Sequence, residues 1–544
     1  MSRATCSRAL PYLSSPSSRS PLRALARRPP RALSEATLKA VTDVLYLYSP
    51  QRREKLHNEL SSAGGQKTRG PQGDDCVVLQ DGAKTIRFLL VDSIEHALKL
   101  LTDHYFSFVV VDARLCPDCG CGADCAPLSI QFMNRIHYSA DPDKRYPLSR
   151  IIAVVRDDAK LAKHAFELGK LRIGGFVCEP FSGALAELME SLYDPDPGKT
   201  AMCLSGGGIE GFLFELGVMM GINAHLQSKS VTDFQIFCGI SAGAILSSLL
   251  ANLSEPEEIV DKLFNPNSGA KEDVLTPSHI FDFNIGEYLG RLWELSRNVS
   301  VLSGSELIST LLRSVPIGFF RGESLHDFLQ RHLTMEGRTN DFRKLQRELY
   351  IGATDQDRST HVVFGDGQWR DVPISRAVRA SYALTPFFEP ALIEDRYFVD
   401  GQYTRTSNFH VAVERGAKLV IVVNPLVPIR VEGTGYVRKK GGVFGGLQAL
   451  KAVIHTRFLH AFQAAIDAYP EVDFVLFEPE GDLVRLMGGS PMKYNLRTEI
   501  VNVAYRFAVQ RIQRDFEVLR GTFERHGFRL QRHPRLRAKH AAFF

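Results

Sequence analysis

No stretch of this 544-residue chain reaches eighteen uninterrupted apolar residues, so nothing in it predicts a membrane-spanning helix. The longest apolar run, AILSSLLANL at 244–253, has the length of a buried core helix. Acidic residues are missing from both ends. Residues 1–34 hold seven Arg and no Lys, Asp or Glu, and residues 525–544 hold five Arg and Lys539 without an acid. With a formal charge of +5 for the whole chain, the part between carries −8. An acidic body between basic tails excludes a nucleic-acid-binding domain, whose positive charge forms a patch on a folded surface. The tails read either as solvated extensions or as cations that touch anionic lipid. The arginines near the start are not followed by the 7–15-residue apolar core of a secretory signal, and five prolines among residues 1–34 break any amphipathic transit helix. Nine cysteines without such a signal point to a reducing compartment, not a disulfide framework. A cytoplasmic location, with peripheral contact to a membrane, is the expectation.

What the chain does contain is alternation. Residues 1–75 read as a basic tail and linker, with a helix expected near LKAVTDVLYLYS (38–49). From 76 to 193 strands alternate with helices: TIRFLLV (85–91), SIEHALKLLTDHY (93–105), FSFVVVDA (106–113), RIIAVV (150–155), DAKLAKHAFELG (158–169), GGFVC (174–178) and SGALAELMESLY (182–193). That order predicts a parallel sheet. YDPDPGKT (193–200) is the linker, a second α/β region runs from 194 to 524, and 525–544 reads as a basic C-terminal tail.

The 76–193 region resembles a response-regulator receiver domain. Asp112 closes an apolar strand where a receiver carries its phosphoacceptor, and EPF (179–181) stands where receivers have Lys-Pro-Phe. Glu179 therefore replaces the cation that would steady an aspartyl phosphate, and no acidic pair is evident on a first strand. The resemblance implies a pseudo-receiver that binds a protein partner. Within it, Cys116, Cys119, Cys121 and Cys125 offer four thiolates. Ten residues is tight for one tetrahedral zinc site, and a free-thiol loop is the competing reading.

The chemistry sits in the second region. CLSGGGIEGFLFELG (203–217) places Gly206, Gly207, Gly208 and Gly211 between an apolar strand and a helix, in the spacing of a dinucleotide fingerprint. Such a site needs an acid at the end of the next strand for the ribose hydroxyls. That strand, FQIFCGI, instead runs into Gly239-Ile240-Ser241-Ala242-Gly243. Gly-x-Ser-x-Gly between strand and helix is a nucleophile elbow, which lifts a serine hydroxyl clear of the sheet. The glycine turn one strand earlier then supplies N–H groups for an oxyanion rather than for a pyrophosphate. A short strand before Asp400-Gly401 in RYFVDGQY (396–403) offers a base.

Taken in order, the glycine turn, the elbow, RASYALTPFFEP (379–390) and the VDG corner resemble the patatin-like phospholipases, over roughly 200–510. The resemblance implies a three-layer α/β/α hydrolase and a Ser–Asp dyad: Ser241 as nucleophile, Asp400 as base, Gly206, Gly207, Gly208 and Gly211 as oxyanion loop, Gly239 and Gly243 shaping the elbow. Glu210 departs from the usual Arg or Lys of the glycine motif, and Gln402 from the small residue after Asp-Gly. A Ser–His–Asp triad is the chemical competitor, with His410, His455 and His460 qualifying by chain order alone.

The aromatic-rich stretch HIFDFNIGEYLGRLWELS (279–296) places Tyr288, Leu292 and Leu295 at helical spacing beside Trp293. It reads either as core packing or as a cap over an acyl channel. The basic, glycine-rich YVRKKGGVFGGLQAL (436–450) is a mobile loop or an anionic-surface contact. These observations add up to a lipid acyl hydrolase of phospholipase A type, acting on lipid at a membrane surface without cofactor or metal. A triacylglycerol lipase or thioesterase, and a gated or vestigial hydrolase serving as a signalling scaffold, are the alternatives.

Overall fold

The computed structural model describes residues 41–70, 74–81, 84–113, 128–137, 146, 148–155, 171, 173–178, 197–264, 275–286, 289, 290, 293, 317–431, 433–488 and 496–535. The cysteines 116, 119, 121 and 125, the EPF segment with Glu179, the helices expected at 158–169 and 182–193, and residues 1–40 and 536–544 lie outside them.

The N-terminal sheet comprises β1 (Val41–Leu47), β2 (Gln66–Arg69), β3 (Asp75–Asp81), β4 (Lys84–Val91), β5 (Phe108–Asp112), β6 (Ile151–Val155) and β7 (Gly175–Cys178), in the order β2-β3-β4-β1-β5-β6-β7. Its parallel part, β4-β1-β5-β6-β7, has the strand order of flavodoxin-like folds. β2 and β3 add an antiparallel hairpin at one edge. FVVV of β5 and IIAVV of β6 are apolar throughout because both strands are buried on both faces. One expectation fails here. The helix read over 38–49 is instead the strand β1, and it takes a central place beside β4 and β5. A short run such as VTDVLYL has no periodicity that separates strand from helix, and its β-branched and aromatic residues suit a pleated surface. The sheet therefore begins inside the segment read as tail and linker.

Asp112 ends β5 as expected, but it is 3% exposed and closed off. Arg52 forms an ion pair with it, Tyr46 donates to Oδ1 at 3.2 Å, and the Ser49 amide donates to Oδ2 at 2.9 Å.

The second sheet comprises β8 (Lys199–Leu204), β9 (Ile236–Ile240), β10 (Glu348–Asp355), β11 (Thr360–Phe364), β12 (Ala391–Ile393), β13 (Arg396–Asp400), β14 (Ala417–Val423) and β15 (Asp473–Phe477). Its order is β12-β13-β10-β9-β8-β14-β15, with β11 on β10. The five strands from β10 to β15 along that path are mutually parallel. Alternate residues of β8 feed opposite cores. Met202 and Leu204 pack with the helices Gly208–His225, Ala242–Ala251 and Arg497–Arg514, while Ala201 and Cys203 pack with Phe409, Phe458 and Phe462. Helices on both faces make the three-layer α/β/α arrangement. Among the described residues, no helix is long and apolar enough to cross a membrane.

One buried carboxylate joins the two sheets. Asp473, at the start of β15, pairs with Arg150 at 2.8 Å, Arg525 at 3.1 Å and His526 at 2.9 Å, and Tyr105 donates to it at 3.2 Å. Residues 525–530, read as the start of a tail, thus belong to the folded body. Phe528 and Leu530 are buried, with the Phe528 ring 4.6 Å from Phe234.

Candidate functional site

The site lies at the carboxyl edge of the parallel strands, where open α/β sheets bind ligands. β9 delivers Ser241 at φ +55°, a left-handed conformation that only surrounding structure holds in a non-glycine residue. The helix Ala242–Ala251 starts at the next residue. Close approach explains the flanking glycines. A Cβ on Gly243 would lie 2.3 Å from the Leu204 carbonyl oxygen, and one on Gly239 would lie 2.5 Å from Ala244 Cα. The Gly243 amide donates to the Ser205 carbonyl at 3.1 Å, tying the elbow to the glycine turn.

That turn lies against the nucleophile. A Cβ on Gly206 would meet Gln402 Cδ at 2.5 Å and Ser241 Cβ at 2.6 Å. Gly208 has φ +65°, which glycine adopts without strain. The first i→i−4 bond of the following helix runs from the Gly211 amide to the Gly207 carbonyl at 3.0 Å. The amides of Gly206, Gly207 and Gly208 come before it, where a helix start offers no intrahelical acceptor. Gly211 differs from the other three, because its amide is already engaged. Its own close neighbour is Pro425, which also crowds Gly207.

Asp400 ends β13 with no exposed surface. Its Oδ1 accepts the Gln402 amide at 2.9 Å. Burial pushes its pKa up to about 7, opposed by hydrogen bonding from the Ser241 side chain and the Gln402 amide. Among the described residues, Asp400 Oδ2 has no hydrogen-bond partner.

Ser381 is the residue that sequence reasoning missed. Its Oγ accepts the Ser241 amide at 2.8 Å and donates to the Gly352 carbonyl of β10 at 2.6 Å. Two residues on, the Ala383 carbonyl accepts the Asp400 amide at 3.0 Å. Both chemical groups therefore hang from one segment of RASYALTPFFEP. The motif was legible in the sequence; the role of its serine was not.

The three histidines fall in different surroundings. His455 contacts Glu478 at 3.2 Å, His410 packs its ring 4.2 Å from Phe409, and His460 is exposed. Ser241 lines a pocket walled by residues such as Phe212, Ile245, Leu249, Leu329 and Phe388. Among the described residues, the one other polar side chain in the lining is Tyr382, which donates its hydroxyl to the Gly322 carbonyl at 2.6 Å. Glu210 and Gln402, the two departures noted in the sequence, are both buried, and Gln402 Nε2 has no hydrogen-bond acceptor among the described residues. Of the expected cap, Ile280 lines the pocket, Trp293 is exposed, and Tyr288, Leu292 and Leu295 lie outside the described residues.

The family model of patatin-like phospholipases matches residues 202–413, from the strand before the glycine turn to just beyond the Asp-Gly corner. The chain carries a patatin-like phospholipase domain. A patatin-like domain is a serine ester hydrolase domain, consistent with a buried serine on a strained elbow at the floor of an apolar pocket. Among solved structures, this chain is similar to VipD from Legionella pneumophila at 15% identity and a TM-score of 0.26, covering 58% of this chain and 66% of VipD. It is similar to the type III effector protein ExoU at 18% identity and a TM-score of 0.21, covering 60% of this chain and 62% of that one. Full-length FixJ from B. japonicum matches at 16% identity and a TM-score of 0.19, covering 50% of this chain and 97% of FixJ. Comparison with curated protein sequences gives no match.

Proposed function

We propose that the patatin-like domain hydrolyses fatty acyl esters of phospholipids through an acyl-serine intermediate, with Ser241 as nucleophile and Asp400 as base. The carrying observation is a serine at φ +55° that lines an apolar pocket, together with a fully buried carboxyl group on which the Ser241 side chain acts. An aspartate at its ordinary pKa is a weak base near neutrality; one near 7 is matched to the task. As Ser241 Oγ bonds to the ester carbon, Asp400 takes its proton and the carbonyl oxygen becomes an oxyanion. The amides of Gly206, Gly207 and Gly208 receive that charge; such donors typically contribute about 3–4 kcal/mol. Collapse breaks the bond to the glycerol oxygen, which leaves with the proton from Asp400. Water then attacks the acyl-serine with Asp400 again as base, releasing the fatty acid and restoring Ser241.

A pocket this apolar favours an acyl chain over a small soluble ester. Two modules are proposed, a flavodoxin-like one ahead of about residue 194 and the hydrolase after it. The first is assigned to protein partner binding rather than phosphoryl transfer, because Arg52 and Tyr46 already occupy the Asp112 carboxylate. Labelling with a fluorescent fluorophosphonate tests the chemistry. Wild type should label, Ser241→Ala should not, and release of fatty acid from phospholipid vesicles should follow the same pattern. A folded wild type that neither labels nor hydrolyses overturns the proposal in favour of a scaffold.

A further inference from the structure

The helix Gly442–Ala468 carries His455 and His460, two of the triad candidates, yet the group it extends to the Asp400 corner is Arg457. Arg457 Nη1 donates to the Tyr403 carbonyl at 2.9 Å. Its Nη2 donates to the Gln402 carbonyl and, at 3.4 Å, to Thr406 Oγ1. Thr406 donates in turn to the Ile454 carbonyl of the same helix at 3.3 Å. The guanidinium thus spans two consecutive carbonyls, a fork that suits its planar shape and that a lysine ammonium does not reproduce.

Two observations set this arginine apart from a surface cation. It is half-buried, and that burial pulls its pKa below the usual guanidinium range. Among the described residues no carboxylate pairs with it; it binds main-chain carbonyls and one hydroxyl. A cation taken partly out of water without an opposite charge costs free energy that an apolar side chain would not. The residue it grips is also the one that binds the candidate base. Gln402 gives its carbonyl to Arg457 and its amide to Asp400 Oδ1 at 2.9 Å. The Asp400 carbonyl is held separately, by Thr354 of β10 at 2.9 Å. Arg457 lies beyond residues 202–413, the span of the family match.

We infer that Arg457 is a positioning residue for the reaction: by fastening the Gln402 and Tyr403 carbonyls, it holds the Gln402 amide on Asp400 and fixes the carboxyl for Ser241. This rests on the reading of Asp400 as base. Besides Ser241, the titratable or charged groups around the corner are Tyr403, which feels Asp400, and His361, which feels Arg457 and Arg405.

Arg457→Met and Arg457→Lys, with circular dichroism to confirm folding, test it on a soluble short-chain ester. In Arg457→Met, kcat should fall about tenfold or more with KM within about twofold, and Arg457→Lys should recover little of the loss. The acid limb of kcat/KM should move above pH 7, because the loosened Gln402 amide is one of the groups that lower the Asp400 pKa. Should Arg457→Met not fold, Arg457→Lys carries the test. An arginine that merely caps the turn predicts a lower unfolding midpoint with kcat and the acid limb unchanged, and that result overturns the inference while leaving an active wild type as evidence for the hydrolase. Full recovery by lysine also overturns it, by assigning the effect to charge alone. A folded wild type without turnover overturns the hydrolase reading and any positioning role with it.

Discussion

The Ser241 amide donates to Ser381 Oγ at 2.8 Å, and that hydroxyl donates in turn to the Gly352 carbonyl at 2.6 Å. All three residues are held away from water, so a single hydroxyl satisfies the strained elbow and fastens it to the neighbouring strand. Ser381→Ala should leave a buried N–H and a buried carbonyl without their partner, at about 1–3 kcal/mol. Turnover should fall as the elbow loosens, with kcat moving more than KM. Calorimetry alongside soluble-ester kinetics checks both; a variant as stable and active as wild type would show that Ser381 does not position the nucleophile.

Asp400 gives the activity a pH signature. Its folded pKa of about 7 lies above the unfolded value of ~3.9. The base form is lost as pH falls through 7, so kcat/KM should drop about tenfold per pH unit below that point. The stability effect has the opposite sign. The folded state binds the extra proton between the two pKa values, so stability declines as pH rises from about 4 to 7. Asp400→Asn should therefore abolish turnover yet unfold at a higher temperature than wild type at pH 8, with little difference at pH 4. An acid limb near pH 4 in the wild-type profile would remove Asp400 as the base.

Gly206→Ala tests the glycine turn. The added methyl would stand 2.5 Å from Gln402 Cδ and 2.6 Å from Ser241 Cβ, and neither can retreat far in a buried site. Fluorophosphonate labelling should fall at least a hundredfold while circular dichroism stays native. Gln402→Ala alone removes a buried donor without an acceptor and should preserve labelling within about tenfold.

Asp473 carries the join between the sheets. Arg150, His526 and Arg525 overcome its burial and hold its carboxyl well below the usual carboxylate range. Its contribution to stability is therefore present above the unfolded pKa of about 4 and fades as pH falls through the lower folded value. Asp473→Ala strands Arg150 in the interior and should cost about 3–5 kcal/mol in urea unfolding at pH 7. An unfolding midpoint equal to wild type would show that the join depends on other contacts.

The turns of the candidate site were legible in the sequence because their constraints are local. Gly-x-Ser-x-Gly between strand and helix, and a glycine turn one strand earlier, follow from sharp turns and close backbone approach within a few residues. Asp400-Gly401 could be placed at a strand end for the same reason. The strand β1 was misread because seven apolar-rich residues suit either helix or strand until neighbours β4 and β5 decide. Tertiary structure alone decided the rest. The pKa of Asp400 comes from complete burial, the Ser381 bridge spans segments far apart in the chain, and Arg52 reaches Asp112 only because β1 lies beside β5. The sequence by itself determined which side chains stand at the strand ends and sharp turns. The fold decided how far each is kept from water and which distant groups hold it in place, since desolvation and packing are properties of the assembled interior.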